Sequence, residues 1–205
     1  GPEVTLIEGA ADPADPDGLG PAAIRCAYLV SGAVLEGFTL TGGHTDGLAS
    51  SSDFSNHLGG GAFLLASAQL NQCILTDNTA HFEGGGAFAI DGGIFNNCAV
   101  IGNSAEMGGG IRLWEGGTLN NCSITKNSAK YQGGVFMDNA TMNNCIVWDN
   151  TATAITVTST NTVTNAMRYT WTVVDNVNVT GDINSAGNGN VMGTDLVQTL
   201  DNSSP

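Results

Sequence analysis

The sequence predicts an all-β solenoid of stacked coils, on the strength of a repeat, a glycine pattern and a composition. Four segments, LNQCILTDNTA, FNNCAVIGNSA, LNNCSITKNSA and MNNCIVWDNTA, share a cysteine, and Cys73, Cys98, Cys122 and Cys145 stand 25, 24 and 23 residues apart. A glycine-rich run precedes each one: GGGAF, GGGAF, GGGIR and QGGVF. Twenty-nine glycines beside only 12% charged residues suit tight turns and strands, and no window keeps a helical period. A repeat this short cannot bury its apolar face alone, so the copies must stack.

Residues 110–134, GIRLWEGGTLNNCSITKNSAKYQGG, illustrate one coil. A first strand spans Ile111 to Trp114, and Glu115-Gly116-Gly117 turns it. A brief second strand lies at Thr118-Leu119. Leu119 and Cys122 have opposite parity, so both face inward only if the chain bends at Asn120-Asn121. The third strand, Cys122 to Thr125, points Cys122 and Ile124 inward, and Lys126-Asn127 turns the chain again. Stacking puts Asn78, Asn103, Asn127 and Asn150 in one column, where asparagine is expected to supply a left-handed corner and amide bonds along the column. In the earlier segment AVLEGFTLTGGHT, Phe38 takes the cysteine place and Gly43 the asparagine place, which again suggests a backbone cause. VTLIEG (4–9) matches FTLTGG (38–43) at an offset of 34 residues, pairing Leu6 with Leu40.

These segments predict one domain over 1–205, possibly part of a longer protein. Residues 1–58 hold early coils with excursions at 11–21 and 44–58; 59–152 hold the regular repeats; 153–205 hold closing strands, with Tyr169, Trp171 and Val173 alternating, and a looser tail from Gly181. No amphipathic capping helix precedes the first coil, so its strand edges are expected to be open to another copy. A net charge of −14 argues against nucleic acid and anionic lipid as partners, and no apolar run suits membrane insertion. Five cysteines, with Cys26 the odd one, do not make a disulfide framework. The four repeat cysteines are expected to form a buried column about 4.8 Å per step, small apolar filler in poor geometry for bridging.

VLEGFTLTGGHT and LNNCSITKNSA, with glycines ahead, resemble the right-handed parallel β-helix of the pectate-lyase-like superfold. More narrowly they are similar to repeats of bacterial secreted and surface proteins, including polymorphic outer-membrane protein repeats. The resemblance spans roughly residues 1–200 and implies about seven three-strand coils in an extracellular or cell-surface protein. It implies activity only weakly, because this superfold hosts lyases, hydrolases, adhesins and inert stalks. Its lyases need a basic residue beside calcium-holding carboxylates, and its hydrolases an Asp pair, a His and an RxK segment. Neither set occurs here.

The candidate residues follow from the columns. On the first strand Ala62, Ala87, Ile111 and Val135 point inward, so Phe63, Phe88, Arg112 and Phe136 are expected to face out beside Leu65, Ile90 and Trp114, with Tyr28 beginning the line. An exposed patch of this kind marks a contact surface: a second copy or another surface protein, a terminal segment of the same chain, or a polysaccharide stacked on the rings. Asp91 and Glu115 fall at equivalent turns of successive coils. They are either solvated turn acids or, with Arg112, a glycosidase- or lyase-like constellation. Asp12, Asp15 and Asp17 offer oxygens for Ca²⁺, or else form a plain surface loop. His81, Glu106 and Lys130 should stack as an ion ladder. The expected function is a non-catalytic stalk, adhesin segment or filament subunit, with a carbohydrate-active enzyme or binding module as the alternative.

Overall fold

The computed structural model describes residues 1–47 and 53–154, with strand backbone at 161–164, 167–168 and 177–180. Tyr169, Trp171, Val173 and the segment from Gly181 lie outside the described residues. Among the described residues the strands form four parallel sheets that run along the stack.

The aromatic sheet has five strands: Ala27–Leu29, Ala62–Leu64, Ala87–Ile90, Ile111–Trp114 and Val135–Met137. The asparagine sheet has seven, running from Val34–Glu36 through Gln69–Asn71, Ile94–Asn96, Thr118–Asn120 and Thr141–Asn143 to 161–164 and 177–180. The cysteine sheet also has seven, from Leu6–Glu8 through Thr39–Thr41, Ile74–Thr76, Ala99–Ile101, Ser123–Thr125 and Ile146–Trp148 to 167–168. A short sheet of Ser104–Met107, Ser128–Tyr131 and Thr151–Ala154 adds a fourth side to the later coils. It replaces the plain turn expected after Asn127.

The alternation expected on these strands is observed. Ala62 and Leu64, Ala87 and Ala89, Ile111 and Leu113, and Val135 and Met137 face the core from the aromatic sheet. Leu70, Phe95, Leu119 and Met142 face it from the asparagine sheet, and Leu75, Val100, Ile124 and Val147 from the cysteine sheet. The bend before each cysteine is made by a left-handed residue, with φ 51° at Gln72, 54° at Asn97, 52° at Asn121 and 51° at Asn144. That bend reverses the parity and lets Leu119 and Cys122 both point inward.

None of the five cysteines forms a disulfide; Cys26 is half-buried, and the four repeat cysteines are buried. They do more than fill space. Each thiol donates to a backbone carbonyl of the preceding coil: Cys98 to Leu70 at 3.3 Å, Cys122 to Phe95 at 3.5 Å and Cys145 to Leu119 at 3.6 Å. Burial pushes the Cys26 and Cys73 thiols up, which keeps them neutral.

Two expectations are corrected. The left-handed corner lies one residue before the asparagine column, at Gly42, Asp77, Gly102, Lys126 and Asp149. The asparagines are instead fully buried, and each oxygen accepts from the amide of the coil before it: Asn78 Nδ2 to Asn103, Asn103 Nδ2 to Asn127 and Asn127 Nδ2 to Asn150, all at 2.9 Å. The backbone N–H groups of Asn78, Asn103 and Asn127 donate to those same oxygens at 3.0, 2.9 and 2.9 Å. The second hydrogens go to the carbonyls of Leu40, Leu75, Val100 and Ile124. Gly43 takes the asparagine place for lack of room, since a β-carbon there would meet the Cys26 sulfur at 2.8 Å and Asn78 Oδ1 at 3.0 Å. Cys26 Sγ, 3.4 Å from Asn78 Oδ1, stands in for the missing amide.

The second correction concerns the first coil. Ile7 pairs with Leu40 and Leu6 with Thr39, an offset of 33 residues rather than 34. Ile7 packs on the core while Leu6 is 56% exposed. A one-residue slip exchanges the two faces of a strand, so the apolar contact at Ile7 decides the register.

Candidate functional site

The outer face of the aromatic sheet carries the column Tyr28, Phe63, Phe88, Arg112 and Phe136, in register from coil to coil. Tyr28 and Phe63 stack at 5.2 Å and 4°, and Phe63 and Phe88 at 5.3 Å and 15°. Trp114 sits 6.4 Å from Phe88, tilted by 45°.

Full exposure was expected for this column, and the structure overturns it for three members. Phe63, Phe88 and Arg112 retain only 4%, 2% and 4% of their accessible surface, whereas Tyr28 keeps 51%. Leu65, Ile90, Trp114 and Phe136 are half-buried. Over Phe63 and Phe88 the cover is the second excursion, an internal segment, whereas Arg112 lies among Glu83, Trp114 and Phe136. Asp53 caps a short turn, Phe54–His57, by accepting from Ser55 N at 3.0 Å and Ser55 Oγ at 2.7 Å. Leu58 then packs on Phe63 and Phe88. Phe54 meets Phe82 edge-on at 5.5 Å. Arg25 Nη2 donates to Ser55 O at 2.6 Å and its guanidinium lies 5.4 Å over Phe63, tying the turn to the first coil. His57 Nδ1 donates to Asp46 O at 2.6 Å.

Between this cover and the far end of the column is an apolar cleft of about 240 Å³, lined by Phe54, Leu58, Phe63, Phe88, Ile90 and Trp114. A second, polar cleft of about 380 Å³ lies between Arg25, Tyr28, His44, Asp46 and Asn56.

Arg112 belongs to neither cleft's chemistry. Its Nε donates to Glu83 Oε2 at 3.1 Å and its Nη1 to Leu113 O at 3.0 Å. The guanidinium stacks 3.7 Å over Phe136 and 5.0 Å from Trp114. Burial raises Glu83 and lowers Arg112, so desolvation outweighs the attraction between them. Glu83 was missed by sequence reasoning. The available signal was a pair of anomalies, because Glu83 aligns with Met107 and Arg112 aligns with Phe88 and Phe136.

Asp91 and Glu115 occupy equivalent corners, both left-handed at φ 56°, and both are exposed. Neither forms an ion pair among the described residues. Arg112 is committed to Glu83, so the three are not gathered into one constellation. The acids of the first excursion are engaged within their own loop. Asp12 is buried, with Oδ1 accepting from Ala14 N at 2.8 Å and Oδ2 from Ala22 N at 3.1 Å. Asp15 Oδ1 accepts from Asp17 N at 2.9 Å and Leu19 N at 3.0 Å. These carboxylates brace their own loop, and among the described residues no three His, Cys, Asp or Glu side chains converge to hold a metal ion. Lys130 pairs with Glu106 at 3.2 Å at the surface, as the stacking of 106 and 130 requires.

A family described as right handed beta helix region matches residues 35–192. The chain belongs to the right-handed β-helix family. No curated protein and no solved structure matches it significantly. Within this β-helix no helix among the described residues is long and apolar enough to cross a membrane.

Proposed function

We propose that this β-helix is a non-catalytic structural protein of the cell exterior, a stalk, adhesin segment or self-stacking filament subunit. One observation carries the proposal: buried amides, thiols and an ion pair of the regular coils bond one coil to the next. The inner asparagines, the thiols and the Arg112–Glu83 pair all act across coils. A partially exposed second ladder does so too, with Asn96 Nδ2 donating to Asn71, Asn120 to Asn96 and Asn143 to Asn120 at 2.8 to 2.9 Å.

The first coil supplies a contact suited to a filament. Leu6–Glu8, Ala27–Leu29 and Val34–Glu36 each form the outer strand of their sheet among the described residues. Leu6, Tyr28, Val30 and Val34 are exposed there. Outer strands bearing exposed apolar side chains favour a further β-helical coil as the neighbour. Negative-stain microscopy and sedimentation over a range of concentrations test this. Concentration-dependent end-to-end particles, lost in Leu6→Lys/Val34→Lys, are expected; strict monomers at high concentration would remove the filament form.

The carbohydrate-active reading keeps one favourable observation, the nearness of the Ile90–Trp114 groove to Asp91 and Glu115. In a panel of neutral and acidic polysaccharides no turnover is expected. Turnover abolished by Asp91→Asn would replace the structural proposal.

A further inference from the structure

The cleft beneath the second excursion combines an apolar interior with an acidic rim. Ile90 and Trp114 line it, and the residues that follow them, Asp91 and Glu115, stand exposed at adjacent corners of the same edge. At the opposite wall Asp53 caps the turn that presents Phe54. The local charge is negative. Asp53 lies beside Arg25, and Glu83 and Asp138 beside Arg112, which leaves Asp91 and Glu115 without an ion pair among the described residues. Glu83 and Arg112 cancel as a buried pair, and Arg25 is held by Ser55 O on the first-coil side.

The aromatic column already attracts cations. Two of the chain's three arginines stack on it, Arg25 over Tyr28 and Phe63 and Arg112 over Trp114 and Phe136. Ring faces and carboxylates together favour a positive charge attached to an apolar body, since the rings give a quadrupole and the acids a Coulombic term. The volume of about 240 Å³ exceeds the roughly 150 Å³ that accepts benzene, leaving room for a short substituent.

We infer that this cleft binds a small organic cation, a primary or quaternary ammonium on a body of phenylalkyl size, with Phe54, Ile90 and Trp114 around the body, Phe63 and Phe88 forming the floor, and Asp91 and Glu115 supplying the charge at the rim. This site is independent of whether the β-helix forms filaments.

Calorimetry and ligand-observed NMR with benzyltrimethylammonium, and with benzyl alcohol as the neutral counterpart, test the assignment at low salt. The cation is expected to bind about tenfold more tightly than the alcohol. Asp91→Asn/Glu115→Gln, two exposed changes that leave the core untouched, should remove most of that advantage without altering binding of the alcohol. Raising salt from about 20 mM to about 200 mM should weaken the cation alone. Equal binding of the two probes, no binding of either, or an advantage that survives in the double variant would each overturn the assignment.

Discussion

Asn103 shows how much one buried amide can do. Its oxygen accepts from both the backbone and the side chain of Asn78, while its Nδ2 serves Leu75 O and Asn127 Oδ1. Asn103→Ala therefore strands two donors and a carbonyl in a dry interior, at an expected cost of about 3 kcal/mol, measurable by denaturant unfolding. The asparagine column itself was legible in the sequence, yet its cause was not. A left-handed corner and a buried amide ladder both select asparagine, and only the neighbours separate them: the actual corner tolerates Gly42, Asp77, Gly102, Lys126 and Asp149. The ion pair supports a second prediction. Arg112→Phe alone leaves Glu83 buried and uncompensated, and should cost about 3 to 5 kcal/mol. Adding Glu83→Met restores what neighbouring coils carry, Met107 and Phe88, and should bring stability back to within about 1 kcal/mol of the parent. Because burial raises Glu83 above its ordinary 4.5, its contribution is fully present below that value and is lost as pH climbs through the folded one. Glu83→Gln, which cannot ionise, should consequently gain on the parent in melting temperature as pH rises above 4.5.

The later strands of the aromatic sheet depend on close backbone approach at the glycine run that opens each of them. At Gly109 an added β-carbon would lie 2.6 Å from both the Gly133 carbonyl oxygen and the Ser128 carbonyl carbon. Both obstacles are backbone, so the coils must separate to admit it, and Gly109→Ala should cost about 3 kcal/mol by the same denaturant assay. Strand positions and inward faces were readable because parity and repeat length fix them together. The first coil was misplaced by one residue because VTLIEG offers two apolar residues in succession, Leu6 and Ile7, and either phase satisfies the local pattern. The covered state of Phe63 and Phe88 was hidden for a different reason. The segment 53–58 follows no repeat, so stacking alone gives no indication of where Phe54 and Leu58 fall.

The whole molecule behaves as a stack whose stability is a sum over coils and their junctions. Removing residues 99–122 joins Cys98 to Ser123 and deletes one complete coil in register, but it also takes away Arg112. Combined with Glu83→Met, the shortened chain should keep its β-sheet circular dichroism and a cooperative thermal transition. Without Glu83→Met the same deletion should melt lower. This asymmetry bears on how such a chain winds correctly at all. Near-identical rungs offer many almost equivalent ways to thread, since any one could settle upon any other. The mismatched couple marks a single correct phase: skipping a turn would leave an acid and a base apart in oily surroundings, and those rival windings would be rejected.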